Sequence, residues 1–192
     1  MNEADWSSSD DPQPLLDYLR GQCSQRKLRL FLVACCRHVW PLLPDHRSRR
    51  AVELGERYAD SPVKPAELDR VRQQAEAVVL PIQLLLRAEA PTWPRLAAET
   101  AAAVAARALV PPRGLWEAAR DAVRHLRLAQ LQRVLTPPVA TDLATRRPGL
   151  GAMPKEHHGL IEAARLAAHD SDRTFAEVLR DIFGNPFRRV PV

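Results

Sequence analysis

The stretch LFLVACCRHVW, at residues 30–40, decides the fold of this chain. Its first seven residues are all apolar, and seven residues span almost two turns of an α-helix. Such a helix is apolar on every side and is therefore buried. Charged residues flank the apolar run, namely Arg26, Lys27 and Arg29 before it and Arg37 and His38 after it. The stretch predicts the central helix of a helix bundle, capped by Ser24.

Cys35 and Cys36 lie inside this predicted helix. Adjacent helical residues point about 100° apart, so the two thiols cannot face one partner together. A disulfide between them would be strained, and a metal site usually separates its ligands by two or more residues. We interpret both as core thiols. The neighbouring Arg37 and His38 leave a reactive thiol as an open alternative.

The composition favours helices along the whole chain. Glycine is scarce, with 7 residues in 192, and aromatic side chains make up 5%. So few rings argue against a carbohydrate site or a stacking platform for single-stranded nucleic acid. The sequence contains no glycine-rich phosphate loop and no Gly-x-Ser-x-Gly motif. It predicts an all-α fold, an irregular multi-helix bundle of about seven or eight helices.

Caps, prolines and glycines indicate where the other helices begin and end. The predicted starts, in chain order, are Asp11 with Pro12, Asp45 or Ser48, Pro65, Pro94, Leu115, Glu156, and Asp170 or Ser171. Gly21 and Gly184 are expected to end helices. Pro81 is expected to kink or break the helix that starts at Pro65. This predicts a helical domain over 1–135, a loop rich in proline and glycine over 136–154, and a C-terminal helical pair over 155–192 on the same core.

The charge is unevenly distributed along the chain. Residues 1–19 carry five acidic residues and no basic one, whereas residues 20–50 carry eight basic residues against Asp45. We therefore expect the acidic N-terminus to fold against the basic segment that follows it.

The sequence also predicts a cytoplasmic location. Its acidic N-terminus lacks the apolar core of a signal peptide. The longest apolar-rich run, AVVLPIQLLL, is too short to cross a bilayer. Three cysteines, an odd number, do not resemble the disulfide framework of a secreted protein. We expect no membrane partner.

Two groups of arginines are candidate nucleic-acid contacts: Arg120, Arg124 and Arg127 on the amphipathic segment, and Arg47, Arg49 and Arg50 at the start of the third helix. Basic residues in such clusters meet phosphates in nucleic-acid-binding proteins. However, Glu117 and Asp121 lie within a turn of the first group and are expected to pair with it. A solvated helix face is the simpler interpretation of both groups.

A second ligand-rich stretch is KEHHGLIEAARLAAHD, where His158, Glu162 and His169 share one predicted helix face. A histidine four residues before a glutamate has a spacing that suits a divalent metal, but a fourth ligand is missing and the metalloprotease pattern is absent. We interpret these residues as solvated or capping groups, and we assign no metal or cofactor.

Three motifs together resemble a known family: DPQPLLDYLRG, RKLRLFLVACCRHVW followed by RSRRAVELGERYAD, and LRDIFGNPFR. They are similar to a large set of proteins from planctomycete-type bacteria that occur in many copies per genome. The resemblance is strong over residues 5–60 and 178–189. It implies no activity and supplies no catalytic residue. Longer relatives continue past the last motif into another helical segment, so we expect any site there to be missing from this sequence.

These observations support three functional hypotheses. The first is a non-enzymatic helical interaction or regulatory module that binds a protein. The second is a nucleic-acid-binding protein that uses the arginine groups. The third is a metal-dependent enzyme around His158, Glu162 and His169. The oligomeric state and the identity of any partner stay open.

Overall fold

A computed structural model describes residues 1–88, 93–134 and 158–187. In these ranges the chain forms eight α-helices, two short 3-10 helices and no strand. The α-helices are α1 (Glu3–Ser8), α2 (Pro12–Leu19), α3 (Gln25–His38), α4 (His46–Asp60), α5 (Pro65–Ala88), α6 (Trp93–Arg107), α7 (Leu115–Val134) and α8 (His158–Phe183). The predicted all-α bundle is confirmed. Within the same ranges, none of the helices combines the length and apolar character that a membrane span requires.

The sequence signals for helix ends act as predicted. The side chain of Ser24 accepts a hydrogen bond from the Lys27 N–H at 3.3 Å and caps α3. The Asp11 carboxylate caps α2 and the Asp45 carboxylate caps α4 in the same way. Gly21, with a φ of 76°, follows the end of α2, and only glycine adopts this left-handed conformation without strain.

One helix was not predicted, and two predicted helix breaks are absent from the structure. Residues 3–8 form α1, because Asn2 and Asp5 build a reciprocal capping box around its first turn. Helix α5 does not end at Pro81 but continues to Ala88. Helix α8 is one continuous helix, and neither Asp170 nor Ser171 starts a new one.

The main core surrounds α3, which packs against α4, α7 and α8. Fully buried side chains from α2, α3, α7 and α8 meet in one cluster, among them Leu15, Phe31, Leu126, Phe175 and Leu179. A smaller cluster joins α4, α5 and α6. The C-terminal helix therefore shares its core with the start of the chain.

Cys35 and Cys36 are completely buried in this core. Burial raises the pKa of Cys36 to about 12, and it raises the pKa of Cys35 as well. Both side chains are therefore protonated thiols at neutral pH, which is not the form that acts as a nucleophile.

Arg29 is a buried charged residue, with 3% of its surface exposed. Its Nη1 donates to the Ala108 carbonyl at 2.6 Å and its Nη2 to the Val110 carbonyl at 3.2 Å. Its guanidinium lies over the Tyr58 ring, 4.3 Å from the ring centroid. The two carbonyls follow the last turn of α6, so Arg29 closes the C-terminal end of that helix.

Gly55 lets α4 approach the same helix end. A β-carbon built at this position would lie 3.3 Å from atoms of Ala108 and Val33. A larger residue would therefore push α4 away from both α3 and the end of α6.

The acidic N-terminus packs on α8 instead of on the basic segment. Asp10 lies 3.6 Å from Arg173, and the Asn185 amide donates to the Glu3 carboxylate at 2.7 Å. The basic segment finds its carboxylates in α4: Arg26 pairs with Asp60 and Arg37 with Glu56, both at 2.6 Å. The expected pairing of the two segments was therefore wrong for these residues. A sum of charges along a sequence does not show which helices become neighbours.

Candidate binding cleft between two helices

An open cleft of about 460 Å³ lies between α7 and α8. Its lining consists of Arg127 from α7 and six residues of α8, namely Glu162, Arg165, Leu166, Ala168, His169 and Asp172. Arg127 was a candidate nucleic-acid contact, whereas Glu162 and His169 were candidate metal ligands. The fold thus brings one candidate arginine and two candidate metal ligands into one site.

The helical period explains this lining. Glu162, Arg165, Leu166 and His169 recur every three or four residues, so they share one face of α8. Ala168 and Asp172 lie on the adjoining face that turns towards the core, and both are buried. Leu166 is 56% exposed, and Met1 is the only other large apolar side chain exposed among the described residues. The cleft thus presents an uncovered leucine between charged groups.

The carboxylate of Asp172 has an unusual electrostatic environment within the cleft. Its Oδ2 lies 3.3 Å from the Nε of Arg127, and its side chain is 12% exposed against 51% for the arginine. Burial raises the pKa of Asp172, and the positive charge of Arg127 opposes this shift. The approach of a second carboxylate, that of Asp11, raises the pKa further.

Two polar atoms beneath the cleft lack hydrogen-bond partners within the described part of the chain. They are Oδ1 of Asp172 and Oγ of the adjacent Ser171. Buried polar atoms are nearly always paired, because an unpaired one costs about 1–3 kcal/mol. These unpaired atoms therefore lower the stability of the fold.

The segment between α1 and α2 bounds the cluster on one side. Oδ2 of Asp10 lies 3.8 Å from Nε2 of His169 and 3.6 Å from Nε of Arg173. Arg180 donates from Nη1 to the Ser9 carbonyl at 2.8 Å and so ties the same segment to α8. The cleft thus depends on contacts between the beginning and the end of the chain.

The candidate metal ligands are only partly brought together. Glu162 and His169 both line the cleft. His158 is the first residue of α8, and its side chain lies outside the described part of the structure, as does the loop predicted over 136–154. Among the described side chains, no three histidine, cysteine, aspartate or glutamate residues are placed to hold a metal ion.

The arginines at the start of α4 are mostly engaged within the protein. Nη2 of Arg47 lies 2.8 Å from Oδ2 of Asp45, and this carboxylate has a lowered pKa chiefly because Arg47 donates to it. Nε of Arg49 donates to the Leu43 carbonyl at 2.6 Å. Arg50 is exposed. Two of these three candidate phosphate contacts therefore already have partners.

The arginines of α7 are more accessible. Arg120, Arg124 and Arg127 are all exposed on one helix face. The expectation that Asp121 pairs with them was wrong, since its carboxylate lies 3.8 Å from Nη1 of Arg107. The α7 arginines form a positive ridge that leads into the cleft.

This ridge ends at Trp116, whose ring is approached by two guanidinium groups. Arg20 lies 4.4 Å from the ring centroid and Arg120 lies 5.6 Å from it. Such cation–π contacts hold the cations over the ring. The arginines therefore compete with any nucleobase for the faces of Trp116.

The basic end of α3 is used within the fold. Nη2 of Arg37 donates to Oε2 of Glu56 at 2.6 Å, and its guanidinium lies 4.3 Å from the Trp40 ring centroid. The His38 ring meets the Phe175 ring edge-on, with centroids 5.4 Å apart. Partial burial there lowers the pKa of His38. Neither residue lines the cleft.

Sequence reasoning missed Arg165, Leu166 and Asp172. The helical period that joins Glu162 to His169 also includes Arg165 and Leu166, so these two residues could have been found from the sequence. The predicted helix break at Asp170 or Ser171 separated Asp172 from them.

Comparisons with known proteins found no relative of this chain. No protein-family model, no curated protein and no solved structure matches the chain.

Proposed function

We propose that this chain is a non-enzymatic helical interaction module of the cytoplasm, and that it binds a protein partner through the α7–α8 cleft. The observation that carries the proposal is the exposed Leu166, which lies between Arg127, Arg165 and His169. An apolar contact inside a charged and polar rim is the usual anatomy of a protein-binding site. A partner that covers Leu166 removes apolar surface from water.

Binding is favoured over catalysis by the position of Asp172. A titratable group with a shifted pKa in a cleft is often catalytic. Here, however, the carboxylate is largely buried and faces Arg127. It therefore already has a charged partner within the fold.

We further propose that the chain belongs to the planctomycete-type family whose motifs it resembles, which occurs in many copies per genome. Copies that share a core and differ in their middle segments would bind different partners. The residues between the shared motifs, including the loop predicted over 136–154, would then supply the specificity.

Site-specific photo-crosslinking tests the proposal directly. The crosslinking amino acid p-benzoylphenylalanine replaces Leu166 in one variant and Glu177 in a control. Glu177 is exposed on the same helix, about three turns away. We expect a discrete, reproducible crosslinked protein from position 166 that is absent from position 177. Equal labelling at both positions, or none at either, would contradict the proposal.

A nucleic-acid-binding function is the second candidate, because the α7 arginines form an exposed ridge. It requires binding to DNA or RNA that weakens steeply as salt rises. Filter binding at low and moderate salt measures this, with Arg120→Gln and Arg124→Gln as paired variants. Absence of binding at low salt would eliminate the candidate.

The metal-dependent enzyme around His158, Glu162 and His169 stays a third proposal. Elemental analysis of the purified protein tests it. A stoichiometric metal that is lost in Glu162→Gln would support it over the binding module.

A further inference from the structure

We infer that the partner at the α7–α8 cleft is a second copy of this chain, and that the two copies pair their exposed α8 faces in antiparallel orientation across a twofold axis. Glu162 of one copy then opposes Arg165 of the other, and the two Leu166 side chains lie close to the axis. This inference rests on the proposed function and names the partner.

The charges that line the cleft are balanced. Arg127 and Asp172 face each other across 3.3 Å, so these two charges already have partners. The other guanidinium and the other carboxylate of the lining belong to Arg165 and Glu162, and both side chains are exposed. An occupant of the cleft must therefore offer one charge of each sign.

Glu162 and Arg165 form no ion pair or side-chain hydrogen bond within the part of the chain that the structure describes. The same spacing of three residues does produce an ion pair on α5, where Arg72 lies 3.3 Å from Asp69 and also 3.0 Å from Glu76. The two charges on α8 are therefore available to opposite charges on another molecule.

The α8 face is complementary to itself. A twofold interface brings the same patch of both copies together, so the patch must match its own charges. When two α8 helices run antiparallel with the axis midway between residues 162 and 165, each Glu162 opposes an Arg165, which gives two ion pairs. At 1.5 Å per residue, Leu166 lies about 4 Å along the helix from this axis. The two leucines therefore approach each other at the centre of the interface, where their contact removes apolar surface from water.

Other occupants match this face less well. A nucleic acid would bring phosphates close to Glu162 and leave Leu166, which is 56% exposed, in water. A uniformly acidic or basic segment would attract one of the two free charges and repel the other. A second α8 presents both charges and a leucine at the spacing that the face requires, and an open cleft of about 460 Å³ beside α8 can receive a helix.

Sedimentation equilibrium of the purified whole chain measures the pairing. We expect monomers of 21.5 kDa in exchange with a species of twice that mass. The interface consists of one helix face and is small, so the expected Kd lies between about 1 μM and 1 mM. A chain that stays monomeric at about 1 mM would overturn the inference.

Charge reversal tests the register. Glu162→Arg and Arg165→Glu each place like charges opposite one another at two positions, so each variant alone should dimerise at least about tenfold more weakly. An equimolar mixture of the two variants should form a heterodimer about as tightly as wild type, because each variant then meets opposite charges. The control Glu177→Arg, about three turns along the same helix from Leu166, should leave dimerisation unchanged.

Damage to the fold would not be repaired by mixing two damaged chains, so the mixture separates the interface from a structural role. Unaltered dimerisation of both single variants, or a mixture that associates no more tightly than either variant alone, would overturn the inference.

The apolar contact is tested by Leu166→Ser. Because this side chain is exposed in the single chain, its replacement should leave the melting temperature unchanged. Dimerisation should weaken about tenfold, since each dimer loses two leucines from its centre. An unchanged Kd would contradict the central position of Leu166 and overturn the register.

Photo-crosslinking from position 166 separates this inference from the proposed function. In the purified protein we expect a product of twice the chain mass that is absent from position 177. A product with a different protein in a cell lysate, from a chain that sediments as a monomer, would retain the interaction module and overturn the second copy as its partner. A monomer that gives no product at position 166 would overturn both. A monomer that binds a short polyuridine RNA at low salt and releases it as salt rises would favour the nucleic-acid candidate and overturn the inference.

Discussion

Two buried charges in this protein have opposite surroundings. Arg29 is 3% exposed and donates to two carbonyls at the end of α6, at 2.6 and 3.2 Å. Asp172 is 8% exposed and has one oxygen near Arg127, while its other oxygen has no hydrogen-bond partner in the described structure. The Arg29 guanidinium therefore satisfies carbonyl groups at the end of α6. The Asp172 carboxylate stays partly unsatisfied next to an open cleft.

This difference concerns how well each buried charge is satisfied. A buried charge with several good hydrogen bonds holds the elements around it in place. A buried charge with an unpaired atom weakens the fold. Substitution at the two positions should therefore change stability in opposite directions.

The largest effect is expected from Arg29→Met. The carbonyls of Ala108 and Val110 lose their donor inside the protein, which should lower the free energy of unfolding by about 3–5 kcal/mol. Urea denaturation measures the loss. Arg50→Met, on the exposed surface of α4, is the matched control and should change stability by less than about 0.5 kcal/mol. Similar stabilities for the two variants would remove Arg29 from its structural role.

A smaller loss is expected from Gly55→Leu. Its β-carbon would lie 3.3 Å from Ala108 and Val33, so the rest of the side chain must displace α4 from the helix end that Arg29 closes. Overpacking of this kind costs about 1–3 kcal/mol. In the double variant with Arg29→Met, the losses should not add, since both changes disturb the same contact. Strict additivity would show that the two residues act on separate parts of the fold.

Asp45 offers a second acid for comparison with Asp172. Asp45→Ala removes the cap of α4 and should cost about 1 kcal/mol at pH 7. The pKa of Asp45 is lowered from its ordinary value of 3.8, so its stabilisation is present above that pH and is lost as pH falls through the folded-state pKa. The difference between wild type and variant should therefore shrink in acid. Asp45→Asn, which retains a capping side chain, should lose less at pH 7.

The smallest effect has the opposite sign. Asp172→Asn should stabilise the protein at pH 7 by up to about 1 kcal/mol. The pKa of Asp172 is raised above 3.8, so the group contributes most stability below that pH and loses it as pH rises through the folded-state pKa. The advantage of the variant should therefore disappear as pH falls towards 3.8. A loss of stability at pH 7 would show that the pair with Arg127 outweighs the burial of the carboxylate.

Most of the fold could be predicted from local sequence. The caps Ser24, Asp11 and Asp45 act through bonds that span two or three residues, so they are visible in the sequence itself. The burial of Cys35 and Cys36 likewise follows from the apolar run that contains them. Sequence patterns therefore predict a contact reliably where the two contacting residues are close in the sequence.

The cleft could not be predicted in the same way. Arg127 and Asp172 are 45 residues apart, and their pairing depends on how α7 and α8 cross. Arg29 was placed at a charged helix end, yet its carbonyl partners lie about 80 residues further along the chain, at sequence separations of 79 and 81. The continuity of α8 was missed because capping residues such as Asp170 and Ser171 also occur inside helices.

The contacts between the C-terminal region and the first helices determine when the chain can complete its core during synthesis. The Asn185 amide bonds Glu3 across a separation of 182 residues, and Arg180 bonds Ser9 across 171. At about 5–20 residues per second, roughly 10–35 seconds separate the emergence of the two partners from a ribosome. During that interval Trp6 and Leu15 lack the helix that buries them. We therefore expect apolar surface near the N-terminus to stay exposed until α8 has been translated, and the slow folding step to be the docking of α8.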